Sequence, residues 1–424
     1  MKGYPAFDNY TSVEALPDTN FKIDYVRIPT VEEAKQFFGP VSSDERAWRS
    51  KIYFDAVLQS ARSKLGIGEH DRAEAYIFGD GSFPERDRVA HQSHFPVSVK
   101  AMKINELFLS PNEVIDLTAL AEEFPWDTGD SEIYLHLTIE RLILSCHSKL
   151  IVNGNVFILN CGEVVANDLN GGQAIIELGS SDAVQERSFS RSCSSIEIPI
   201  QGKNGANGAP LKAESTPLGL RISEGCDSYK GQDGTPGGNG STGSKGRNGA
   251  MLFLSDLRFG KLTGFDKHSI QLKGGAGAGF PGADGSDGGN GGLGGNGTDG
   301  MVTPFGIARG YPGGRGGRGG DGGKGGKGGN GGQCCDIFVS VPPQQSFVFQ
   351  TETLPSQGGI GGKGGKGGLG GTAGRYGKFQ SDESGIIPVL DGENGPEGIA
   401  GATGKTREAP KVHIYERQLI KNNH

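Results

Sequence analysis

Residues 279–300 read GFPGADGSDGGNGGLGGNGTDG, and after nine further residues the period resumes at 310–331 as GYPGGRGGRGGDGGKGGKGGNG. Strict period three suits a polyproline-II geometry, with three residues per turn, no internal hydrogen bonds and about 3.1 Å rise per residue. The glycines then line one face, and in Gly-Gly-X triplets two of the three faces are bare backbone. With no side chain holding them apart, neighbouring helices approach until amides and carbonyls pair between them. Collagen shares the period but goes with abundant proline, and these triplets carry only Pro236, Pro281, Pro312 and Pro396. A flexible linker needs no fixed phase, whereas here the phase is kept across several separate tracts.

Glycine makes up 75 of the 424 residues and hydrophobic residues only 34%, so an apolar core fills only part of the chain. By length the chain holds about two or three domains. The net charge of -7 gives no global reason to expect nucleic acid. No apolar run approaches the ~18 residues of a membrane span. The opening MKGYPAFDNYTSVEAL lacks the apolar region of a signal peptide. The expectation is cytoplasmic synthesis, with an extracellular or virion-associated site of action reached without a classical signal. Cys146, Cys161, Cys193, Cys226, Cys334 and Cys335 show no zinc spacing and read as buried free thiols, a bridge among some being the alternative.

In chain order, 1–95 reads as a small helical module. Val31 to Phe38 is a short candidate. A second has Ser42 three residues before Glu45, then Trp48, Ile52, Ala56, Val57, Ala61 and Leu65, with Gly66 as a stop. Such a module would cap a solenoid or dock the chain onto a larger assembly. From 96 to 200 the period is two: Val97 and Val99, Leu107 and Leu109, Ile133 to Ile139, Leu142 to Cys146, Leu150 and Val152, Val156 and Ile158. Short strands with Gly and Asn corners suggest a parallel β-solenoid. The alternative is an antiparallel sandwich, favoured by Asn153-Gly154 as a hairpin turn.

Residues 201–424 parse as three excursions, each bounded by strands: Ile196–Ile200 and Met251–Leu254, Ile270–Leu272 and Ile337–Val341, Phe347–Phe349 and Val412–Ile414. If each goes out and back over ~65 Å of polyglycine-II helix, three irregular segments, 209–230, 301–309 and 378–391, meet at the tip. Gly-Gly-X tracts then belong at the centre and single-glycine tracts at the rim. The fold class expected is mainly β, with a helical N-terminal module, a solenoid-like middle and a bundle of three polyglycine-II hairpins.

Glycine tracts alternating with irregular segments, over roughly 200–410, resemble the tail-fibre tip adhesins of certain bacteriophages. The resemblance implies a rigid sandwich of glycine helices whose loops contact the host receptor. Antifreeze proteins share the helix type, but Arg, Lys and Asp here match their flat small-residue face poorly.

The tip segments carry the binding candidates Phe305, Ile307, Arg309, Tyr311, Tyr376, Phe379, Asp382, Glu383 and Tyr229, with Leu218, Leu220, Met301 and Val302 nearby. Exposed aromatic and apolar groups beside charges suit receptor recognition, and a cap closing the bundle is the structural alternative. Arg315, Arg318, Lys324 and Lys327 share a face, joined by Lys363 and Lys366, as a basic stripe for acidic glycans or as partners of Asp284, Asp287 and Asp299. Residues 294–301 match a calcium nonapeptide without its tandem repeat. His70, Asp71, His91 and His94 read as surface residues. Glu140, Arg141, His147 and Lys149 are where a polysaccharide-cleaving β-helix would hold acid and base. No motif calls for a cofactor or metal, and none marks a nucleophile. The expectation is a non-catalytic adhesin binding a cell-surface glycan or protein. A secreted toxin acting on membranes as an oligomer is the second reading, and a glycan-cleaving enzyme the third.

Overall fold

The computed structural model describes residues 10–12, 21–38, 41–53, 77–79, 95–129, 132–180, 199–222, 226–303, 306–378 and 388–417. Among these the protein is mainly β. Strands β1 (Tyr10–Ser12) and β2 (Phe21–Ile28) precede helices α1 (Val31–Phe37) and α2 (Ser43–Tyr53). Three pairs follow: β3 (Val97–Leu109) with β4 (Val114–Asp116), β5 (Ile133–Ser145) with β6 (Lys149–Asn153), and β7 (Val156–Asn167) with β8 (Ala174–Gly179). Then come β9 (Ala213–Thr216), β10 (Gly219–Ile222), β11 (Ser255–Thr263), β12 (Ile270–Gly274), β13 (Met301–Thr303), β14 (Gly306–Ala308), β15 (Ile337–Val341), β16 (Phe349–Thr353) and β17 (Val412–Glu416).

From β3 onward, apart from the two-stranded hairpins β9–β10 and β13–β14, the chain alternates between two sheets, ordered β1-β4-β6-β8-β12-β16 and β2-β3-β5-β7-β11-β15-β17. Each circuit adds one strand to each sheet, parallel to the strand laid down before it. Within these sheets only β2 with β3 is antiparallel. The Asn153-Gly154 turn therefore joins strands of different sheets, and the hairpin expected there does not form.

Period-two patterning explains the core. Met102, Leu137, Leu159, Leu257 and Val339 stack in register across one sheet, facing Ile115, Leu150, Ile176 and Leu272 from the other. All are buried, and truncating one such residue to alanine costs about 2–5 kcal/mol.

The outer face of the seven-stranded sheet is covered by the helices. Phe38, Tyr134, Val156, Ile158, Leu254 and Phe338 form a second buried cluster there. Thr30 caps α1 by accepting the Glu33 N–H at 3.2 Å, and Ser42 accepts the Glu45 N–H at 3.3 Å. The second helix ends its described course at Tyr53, so Ala56 to Gly66 lie outside the described residues. Expected strand 251–254 is displaced: the strand begins at Ser255, and Leu252 makes an isolated bridge to Cys334. Ser346–Val348 is a 3-10 turn, with strand only from Phe349. Residues 196–198 lie outside the described set, and 199–200 are not strand.

Six glycine tracts extend from the sheets: 200–209, 231–250, 276–300, 310–332, 357–378 and 390–405, called tracts 1 to 6. Their amides pair between tracts. Gly292 donates to Thr235 O, Gly317 to Gly292 O, Gly371 to Gly317 O and Gly392 to Gly371 O, all at 2.7–2.9 Å, with pairing running antiparallel between consecutive tracts. Gly205 donates to Leu293 O, Gly285 to Lys363 O, Gly234 to Arg315 O and Gly319 to Glu393 O, with parallel pairing. Tracts 1, 3 and 5 thus form one layer and tracts 2, 4 and 6 the other. These layers leave β8, β12 and β16 and return into β11, β15 and β17.

The strand register carries into the tracts. Ile270 pairs with Phe349, an offset of 79, and Asp284, Asp287, Asn290, Asn296 and Asp299 accept amides 79 residues ahead. The side chain at these positions meets an amide that the glycine backbone leaves unpaired, which is why Asn and Asp recur there.

A second glycine appears in a triplet only where another tract passes. In tract 3 the positions facing tract 1 are Gly289, Gly292 and Gly295, and a Cβ at Gly289 would lie 1.9 Å from the Ile200 carbonyl oxygen. Before tract 1 arrives, the same positions are Phe280, Ala283 and Ser286. Arg247 lies over the Phe280 ring at 4.4 Å, and Ser286 meets Ser241 at 3.1 Å.

Candidate functional site at the tip of the glycine tracts

Described residues of all three excursions meet where the tracts end. Thr298 N–H donates to Tyr229 O at 3.1 Å, Tyr311 N–H to Thr298 O at 3.0 Å, and Gly377 N–H to Tyr311 O at 2.9 Å. Backbone from all three excursions is thereby zipped in one row. The Tyr229 and Tyr311 rings pack at 5.1 Å, and Tyr229 is only 7% exposed. Tyr229 therefore closes the bundle and offers no ring to a ligand. Tyr311 and Tyr376 are half-buried.

Two short hairpins project from this closure. β9 pairs with β10, Thr216 donating its hydroxyl to Gly219 O at 2.6 Å, and Leu218 at the turn is 98% exposed. β13 pairs with β14 so that Val302 faces Ile307, both exposed, with exposed Arg309 just beyond. Phe305, Phe379, Asp382 and Glu383 lie outside the described residues.

One charged brace escaped the sequence reading. Arg375 donates to Asp299 at 2.7 Å, and the Lys378 amide reaches the same carboxylate at 2.9 Å. The Arg375 hydrogen bond, then the Lys378 amide, hold the Asp299 carboxyl below its ordinary value. The offset of 79 between tracts 3 and 5 places the pair one triplet apart, a signal readable only once the register is known. Cys226 is exposed at this end, its thiol lowered by the Ser228 hydroxyl at 2.9 Å. Of the other described cysteines Cys161 is buried, its thiol pushed up to about 12 by burial, and Cys146, Cys334 and Cys335 are half-buried; none of them is in a disulfide.

The remaining candidates do not assemble. Glu140 and Arg141 lie on β5, Lys149 on β6 of the other sheet, and His147 in the corner between them with φ 56°. Arg141 pairs with Glu106 at 3.1 Å and Lys149 with Glu177 at 2.8 Å. In the calcium-like nonapeptide, Asn296 and Asp299 are engaged with tract 5, and no metal-ligating group occurs among the described residues. His70, Asp71, His91 and His94 lie outside the described residues. The basic stripe is divided: Arg315, Arg318, Lys324 and Lys327 are on tract 4, whereas Lys363 and Lys366 sit on the opposite layer, their amides donating to Asp284 and Asp287 respectively.

Buried charge concentrates elsewhere, under α2. Arg49 is fully buried and bonds Glu45 at 2.6 Å and Asp256 at 2.8 and 3.0 Å, while Arg258 bonds Asp256 at 2.6 Å. Ser340 donates its hydroxyl to Glu45. Two cations balance two anions with no open approach, so the cluster fastens the helix to the sheet.

The fold and tip define a mainly β protein that presents short hairpins at the end of a hydrogen-bonded glycine scaffold. Comparison with protein-family models, curated proteins and solved structures returned no match.

Proposed function

We propose that the protein is a non-catalytic, adhesin-like receptor-binding protein, in which polyglycine-II helices on a β-solenoid present loops to a cell-surface glycan or protein. The observation that carries this reading is the convergence of three segments, distant in sequence, into one hydrogen-bonded row with apolar hairpins beyond it. Period-three pairing between tracts supports the helix type, and the strand-by-strand alternation between parallel sheets supports the solenoid. Exposed Val302 and Ile307 beside Arg309, with exposed Leu218 on the other hairpin, are the kind of apolar anchors with a charged rim that binding sites use. Action is outside the cell that makes the protein.

Replacing 301–309 by a Gly-Ser segment of equal length tests the site. The expected outcome is loss of target-cell binding with an unchanged melting temperature, since the zipped row of Tyr229, Thr298, Tyr311 and Gly377 lies outside the replaced residues. Retained binding removes the hairpin from the site. Leakage of dye from target-lipid vesicles would instead favour the membrane-acting reading.

A further inference from the structure

The outer faces of the two glycine layers differ in charge balance. On the layer of tracts 1, 3 and 5, both lysines of the expected stripe have an acid beside them, Lys363 with Asp284 and Lys366 with Asp287, and so does Lys378 with Asp299. On the other layer, Asn239 and Asn248 accept amides 82 residues ahead, and Asn330 one 75 residues ahead. These offsets place Lys245 beside Lys327, Ile399 beside Lys324, Lys405 beside Asn330 and Glu393 beside Arg318. Toward the tip, acids accompany the arginines: Asp233 holds the Arg315 amide, and Arg318 pairs with Asp321 at 2.8 Å. Toward the sheets, Lys324, Lys327, Lys245 and Lys405 are all exposed, and none makes an ion pair with a described residue. Their neighbours across the tracts are neutral, Thr242, Asn248, Asn330, Ile399 and Ala402, and the acid one triplet before Lys324, Asp321, is paired with Arg318.

We infer that this lysine band is a second binding site, separate from the tip, for a linear acidic polysaccharide lying along tract 4. At about 3.1 Å per residue the four cations occupy a strip about 19 Å long, with rows about 9 Å apart, on a rigid surface. A strip of that shape matches an extended polymer carrying a sulfate or carboxylate every sugar or two. Duplex DNA, with a charge every ~1.7 Å of axis, is a poorer match for rows this sparse on a chain of net charge -7. A flat anionic membrane is also a poorer match, because it would press the acids Asp233, Asp321 and Glu393 on the same face.

The test uses the full chain and immobilised dextran sulfate, with unsulfated dextran and phosphatidylserine vesicles as separate arms. Binding is expected to dextran sulfate alone, and Lys324→Glu with Lys327→Glu should weaken it at least tenfold. The same pair should lower the log–log salt slope by roughly two, one for each phosphate-like contact removed. Lys363→Glu with Lys366→Glu on the opposite face should leave both unchanged, and so should the 301–309 replacement. The milder pair Lys245→Gln with Lys405→Gln should give a smaller loss, and serves if the charge reversal fails to fold. Equal loss from the opposite-face pair, no binding of the wild-type chain to dextran sulfate, or binding to the vesicles instead would each overturn the proposal.

Discussion

At Gly323 there is room for a hydrogen atom and nothing larger. Its N–H donates to Ser286 O, its own oxygen accepts from Gly365, and a Cβ would lie 1.9 Å from the Ser241 carbonyl oxygen. Gly323→Ala should therefore destabilise by roughly 1–3 kcal/mol, the usual cost of overpacking. Thr242→Ala, at an exposed triplet position, should stay within about 0.5 kcal/mol in the same denaturant titration. Burial, then the Arg258 guanidinium, lowers His136 to about 4. The unfolded chain binds that proton from about pH 6.5 downward and the folded one does not until about 4. Folding stability should thus fall by roughly 3 kcal/mol as pH drops through this window. His136→Gln should flatten the profile there. Asp256 acts at lower pH: burial opposes its charge, but Arg258 and Arg49 outweigh burial and hold the carboxyl well below the carboxylate range. Its contribution is complete above about pH 4 and is lost below it. None of these buried charges was visible in the sequence, because Asp256 and Arg258 alternate with apolar Leu257 and Phe259 as on any solvated strand.

Among the elements, α2 is attached by charge as much as by apolar contact. Arg49 sits between Glu45 and Asp256 with its guanidinium 5.2 Å from the Phe338 ring centre. Arg49→Ala strands two carboxylates away from water, and should cost about 3–5 kcal/mol by chemical denaturation. The helix itself was legible from Ser42, Glu45 and the spacing of Trp48 and Ile52. Its partner strand β11 was placed too early, at 251–254, and the alternation of Asp256 and Arg258 with Leu257 and Phe259 gave no sign that Asp256 receives a buried arginine. The tracts were more transparent: the switch from Gly-Ala-Asp and Gly-Ser-Asp to Gly-Gly-Asn near Gly288 marks where tract 1 begins to run alongside. The same rule places Ala373 at the last pairing with tract 6, its amide donating to Asp391 at 2.6 Å, and Tyr376 beyond it.

For the whole molecule, a period of three builds a second scaffold on the first. Rims with one glycine per triplet, in tracts 1 and 6, present side chains outward, so the stack stops at six tracts. If bare backbone is the packing surface, the amides of Gly317, Gly320, Gly323 and Gly326 should exchange with deuterium as slowly as those of β5 and β7. Exchange at loop rates would remove the rigid scaffold and, with it, the grouped tip.

Composition and phase led to the expectation that the carboxy-terminal half packs through glycine, with Gly-Gly-X tracts central and 231–249 and 392–404 at the rim, because steric room and period are local properties of the chain. Tract 2 instead pairs with tracts 1, 3 and 4. Which way the strands pair, that Lys363 and Lys366 leave the basic stripe, that Tyr229 is a closure and that Arg375 braces Asp299 followed only from the folded register. Those facts depend on offsets of 75 to 89 residues between neighbours, set by the length of each excursion and carried by no local signal.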